Sequence, residues 1–132
     1  MASHVSVDLT KTATLRSTCF NEADLITCLA NDYGYEHWVA RAFEMYADAG
    51  DVAVVISSSG KSPNMLNGAR TAKAKGLSVV TLSGFQPDNP LRALGDINLW
   101  VDSREYNIVE MVHQTWLLAI IDRIIDARTG SA

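Results

Sequence analysis

The chain has 132 residues, 48% of them hydrophobic and 20% charged, and eleven basic against fifteen acidic side chains give a net charge of −4. One domain accounts for that length, and the composition excludes disordered, collagen-like and mucin-like classes. The basic residues are scattered, which argues against nucleic-acid binding. No apolar run reaches the roughly 18 residues of a membrane span, and no basic-then-apolar leader opens the chain. A cytoplasmic protein without a membrane partner is therefore expected. Two cysteines, Cys19 and Cys28, cannot build a disulfide framework and are expected as reduced core residues.

Along the chain, 15–20 reads as a short strand, and Asn21-Glu22-Ala23-Asp24 as the capped start of a helix toward Asn31. A second helix is expected over 35–48, where Trp38, Val39, Ala42, Phe43 and Tyr46 recur at helical spacing before Gly50. The β-branched run from Val52 to Ser57 reads as a strand buried on both faces. Ser62 then caps a helix with Pro63 in its first turn, running to Lys75 before Gly76. Strands follow at 77–82 and 97–101, separated by a Pro- and Asn-marked loop with one helical turn at 91–94. The last helix, 107–127, is apolar on nearly all sides, which implies burial in the core or in an interface between chains. This alternation predicts a three-layer α/β sandwich, Rossmann-like, around a parallel sheet of four strands.

The strongest chemical signal is Ser57-Ser58-Ser59-Gly60-Lys61-Ser62, where a strand ends and a helix begins. Unpaired N–H groups, the positive end of the helix dipole and four hydroxyls together suit a phosphate. A Walker A loop is excluded, because Val55 stands where that motif needs its first glycine. The bland alternative is a polar strand-to-helix turn. His4 and Asp8, four apart, and Glu110 and His113, three apart, each share one helix face. A histidine beside a carboxylate can move protons or hold a divalent metal. Singly, each pair is more often a surface hydrogen bond or a satisfied polar pair than a site, although the second lies in an apolar helix where it needs a partner. Asn31-Asp32-Tyr33-Gly34-Tyr35 reads as a polar turn between helices, and His37 as facing solvent.

With these residues in view, Ile56-Ser57-Ser58-Ser59-Gly60-Lys61-Ser62-Pro63-Asn64 resembles the serine loop of the sugar isomerase (SIS) domain family. Together with His4-Val5-Ser6-Val7-Asp8, Ala30-Asn31-Asp32-Tyr33-Gly34 and Glu110-Met111-Val112-His113, the chain is similar to the phosphoheptose isomerases of that family. The resemblance implies a single SIS domain over 1–132 and a phosphorylated-sugar substrate. It implies aldose–ketose isomerisation of sedoheptulose 7-phosphate through an enediol, and a homo-oligomer, dimer or tetramer. It places Ser57, Ser58, Ser59 and Ser62 on the phosphate, with Asn31 and Asp32 near the substrate. Asp8, Glu110 and His113 become the candidate acid–base residues. Some members bind zinc, for which His4, Asp8 and Glu110 would be the ligands.

The departures from the family pattern carry as much weight. Asp8 stands where the family has its catalytic glutamate, Glu110 where it commonly has glutamine, and Leu118 where it has a second catalytic histidine. The family's first strand and Asn-Gly-Gly-Ser loop, expected just before His4, are missing, so the domain is expected to be incomplete at its N-terminus. Two readings remain: an isomerase of a phosphorylated sugar, and a non-catalytic sugar-phosphate-binding or protein-interaction module.

Overall fold

A computed structural model describes residues 1–130. In chain order the elements are α1 (Ala2–Lys11), α2 (Ala23–Tyr33), α3 (Trp38–Tyr46), β1 (Val52–Ser57), α4 (Pro63–Ala74) and β2 (Ser78–Ser83). A single 3₁₀ turn (Arg92–Leu94), β3 (Ile97–Trp100) and α5 (Tyr106–Thr129) complete it. The three strands pair in parallel in the order β1-β2-β3, with Val52 opposite Ser78 and Val80 opposite Ile97. Alternate strand residues point to opposite faces, so each face builds its own core. Ala53, Val55 and Val79 pack with Leu29, Trp38, Phe43 and Ala69 of α2, α3 and α4. On the other face Leu82 joins Val5 of α1 and Leu117 and Ile121 of α5, with Ile56, Val80 and Leu99 partly buried beside them. The result is the expected three-layer parallel α/β sandwich.

Three expectations are corrected. Residues 15–20 form no strand: the Leu15 N–H donates to Leu9 O at 2.9 Å and the Ser17 N–H to Thr10 Oγ1 at 3.2 Å, which ties the segment back to the end of α1. Phe20 then turns its ring against Phe43, 5.5 Å away. Among the described residues the sheet therefore has three strands rather than four. β1 is buried on one face only, because α1 and α5 reach no further than Ile56 and leave Val52 and Val54 exposed. The cysteines are free, but Cys19 is half-buried and Cys28 exposed, so neither is a core residue.

The last helix also differs in detail from its composition. Val109, His113, Leu117 and Ile121 form one stripe at four-residue spacing against the sheet. Ile108, Met111 and Ile120 face away from it and are exposed.

Candidate functional site

The loops that follow the carboxyl ends of β1 and β2 meet the first turn of α5, the edge of a parallel sheet where open α/β folds gather ligands. Ser57 ends β1 nearly buried, and its hydroxyl lies 3.0 Å from that of Ser62. Ser62 occupies the N-cap of α4 with Pro63 in the first turn, as expected, yet its side chain makes no capping bond. The hydroxyl expected to serve the helix is thus turned toward Ser57; Pro63 has no N–H and the Met65 N–H bonds Ser62 O at 3.0 Å, which leaves the Asn64 N–H of this turn for another acceptor. Ser59 Oγ accepts the Lys61 N–H at 3.3 Å, which tightens the turn.

Two neighbouring segments hold that turn. The Gly84 N–H donates to Ser58 O at 2.8 Å, and the Leu91 N–H to Gly60 O at 3.1 Å. Gly60 has a φ of +66°, and a side chain there would run into Asn89. Asn89 is 1% exposed; its amide nitrogen reaches Ser83 Oγ at 3.0 Å, Gln86 O at 2.9 Å and Gly84 O at 3.3 Å. Its Oδ1 accepts the Arg92 N–H at 3.0 Å. Sequence reasoning saw Asn89 only as a loop marker beside Pro90. Nothing in the local pattern separates a buried, fully bonded amide from an ordinary turn asparagine.

From α5, Glu110 reaches the loop: Ser58 Oγ donates to Glu110 Oε1 at 3.1 Å. His113, one turn on, is fully buried, and its Nε2–H donates to Ser83 O at 3.1 Å. Its Nδ1 is buried with no hydrogen-bond partner. Burial holds the imidazole below its ordinary pKa, against the smaller opposing pulls of the Ser83 carbonyl and Glu110. The neutral ring thus anchors the end of β2 and makes no contact with solvent among the described residues.

The other candidates lie apart from this cluster in their bonding. His4 and Asp8 pair with each other at 3.1 Å on α1. Asn31 donates to Asp32 Oδ1 at 2.9 Å, and Cys28 Sγ lies 3.8 Å from Asp32 Oδ2, all at the end of α2. Among the described residues no three His, Cys, Asp or Glu side chains come together as a metal site. The set His4, Asp8 and Glu110 therefore does not fit a zinc ion within one chain, since three protein ligands are the usual minimum. His37 is about half exposed, as expected. A separate cavity of about 360 Å³ between α2, α3 and α4 is lined by Tyr33, Arg41 and Arg70. Arg41 there is already paired with Glu44 at 2.7 Å and stacked over Tyr33.

A parallel three-layer sandwich with a hydroxyl-rich loop at the strand ends defines an open α/β domain, and the SIS domain model matches residues 4–84. The chain belongs to the SIS domain family. It is 35% identical over 99 residues to the phosphoheptose isomerase of Fusobacterium nucleatum, covering 75% of this chain and 50% of that protein. It is 33% identical over 109 residues to that of Campylobacter concisus, covering 83% and 57%. The phosphoheptose isomerase GmhA from Neisseria gonorrhoeae superposes with a TM-score of 0.86 at 26% identity, over 93% of this chain and 68% of that one. The chain is thus a phosphoheptose isomerase-like SIS protein that spans about half the length of the curated relatives it matches. No helix among the described residues is long and apolar enough to cross a membrane.

Proposed function

We propose that this chain binds a phosphorylated sugar through the hydroxyls of Ser57, Ser58, Ser59 and Ser62, as a cytoplasmic homo-oligomer of the phosphoheptose isomerase type. The observation that carries this is the uncapped N-terminus of α4, whose cap hydroxyl turns to Ser57 at 3.0 Å while Ser58 meets Glu110 at 3.1 Å. A phosphate on this loop would find serine hydroxyls together with the positive end of a helix dipole. Glu110, bonded to the same loop, is then the carboxylate best placed to shuttle a proton between C1 and C2 of an enediol. Asp8, with its partner His4, and Asn31 and Asp32 complete the site in this reading only if another chain or segment brings them to it. His113 acts by positioning Ser83.

A second reading, a sugar-phosphate-binding module without chemistry, is favoured by Leu118. That residue is partly buried against the α1–α5 core and can carry no proton. A calorimetric titration with sedoheptulose 7-phosphate, followed by an NMR time course, tests both. Binding is expected, and Ser59→Ala and Ser62→Ala should each weaken it by about 1.5–3 kcal/mol, the worth of a hydrogen bond to a charged group. Turnover is expected to be slow or undetectable, since loss of one positioned acid–base group typically costs about 10²–10⁴-fold. Turnover near the common range of about one per second would show that Glu110 and a second group suffice. Unchanged affinity in both serine variants would overturn the loop as the phosphate site.

A further inference from the structure

Phe85, the second residue after β2, has a φ of +61°, a left-handed conformation that is a genuine outlier for a bulky side chain. Such strain persists only where the surroundings impose it, and it clusters at functional positions. Here the surroundings are identifiable: the Phe85 N–H donates to Ser103 O at 2.8 Å, and its ring meets that of Tyr106 edge-on with centroids 4.9 Å apart. Tyr106 opens α5 and is 58% exposed, so the pair is not a core contact.

These two rings are linked to the proposed phosphate loop at Ser58. Ser58 O accepts from Gly84, the neighbour of Phe85; Phe85 packs on Tyr106; Tyr106 lies one helical turn before Glu110; and Glu110 accepts from Ser58 Oγ. The other side chains of this linkage are polar, which makes the aromatic pair its apolar side.

We propose that Phe85 and Tyr106 form a wall that reads the carbon chain of the bound sugar phosphate, an inference that rests on the serine loop holding the phosphate. Aromatic faces carry negative charge, and the carbon-bound hydrogens of a polyol are polarised positive, so the two attract while the hydroxyls stay in water. The left-handed backbone at Phe85 is what turns its ring onto Tyr106. A glycine in its place would accept that backbone without strain and remove only the ring.

The test is calorimetry on the full chain, with inorganic phosphate and sedoheptulose 7-phosphate as probes, for the wild type, Phe85→Gly and Tyr106→Ala. Each variant should bind the sugar phosphate about three- to tenfold more weakly, within the range of an aromatic contact, and inorganic phosphate within about twofold of wild type. Phe85→Gly should melt within about 5 °C of wild type, because relief of strain offsets the lost contact and the added chain entropy. Equal weakening of both probes, or no change in either, overturns the wall and leaves the serine loop standing. Failure of the wild type to bind inorganic phosphate at all overturns the loop, and the wall with it.

Discussion

Gly60 and Asn89 interlock: the Asn89 side chain fills the space where a Cβ on Gly60 would stand, its own Cβ only 2.8 Å from that point. Asn89 in turn bonds the end of β2 and the start of the 3₁₀ turn. The serine loop is therefore shaped by a residue 29 positions away.

Gly60→Ala should cost about 2–4 kcal/mol, from the positive φ and the clash with a buried amide. Asn89→Ala should cost about 2–3 kcal/mol through its lost hydrogen bonds. Because the second substitution removes the Oδ1 and Cγ that stand closest to a Gly60 Cβ and leaves only the Cβ of residue 89, the double variant should lie at least about 1 kcal/mol below the sum. Urea denaturation of the four proteins measures this, and strict additivity would contradict the interlock.

Ser62→Ala should destabilise for a reason other than a lost cap. Its hydroxyl bonds Ser57 Oγ rather than a helix N–H, so the substitution strands a nearly buried Ser57 at a cost of about 1 kcal/mol. Adding Ser57→Ala should restore part of that loss. If Ser62 capped the helix instead, the second substitution would bring no recovery in thermal melts.

The buried His113 predicts a pH dependence of stability. Its pKa lies below the ordinary imidazole value of about 6.5, so the unfolded chain takes up the proton first. The contribution is complete above about pH 6.5 and falls with decreasing pH toward the folded-state pKa, by at most about 1.4 kcal/mol per pH unit. His113→Gln keeps a donor for Ser83 O but cannot titrate. The decline below pH 6.5 should therefore flatten in that variant, and an identical decline would assign it elsewhere.

The outward side of α5 predicts self-association. Leu99 of β3 and Trp116, Ile120 and Ile124 of α5 line an apolar groove of about 480 Å³, and Met111 and Ile108 elsewhere on the same helix are exposed as well. Such a face normally marks an interface. Light scattering at micromolar concentration should give a multiple of the 14.4 kDa chain mass, and Ile120→Lys should shift it toward one chain. A wild-type mass of one chain would contradict the prediction.

Local pattern alone determined the order of β1, α4, β2, β3 and α5, because period-two and period-3.6 hydrophobicity, Pro63 and Gly76 act within a few residues of themselves. It also located the serine loop, since a run of hydroxyls between a strand and a helix is a local feature. It misread 15–20, where β-like residues are tied to the end of α1 by Leu9 and Thr10 instead of pairing with a strand. Tertiary structure decided the rest of the site. Glu110 meets Ser58 across 52 residues, Asn89 fills the space over Gly60, and His113 is buried against Ser83, each by packing of segments distant in sequence. It also separated His4 and Asp8 from Glu110, because a shared helix face sets only neighbours within a turn or two, whereas the packing of α1 and α5 against the sheet sets which faces meet.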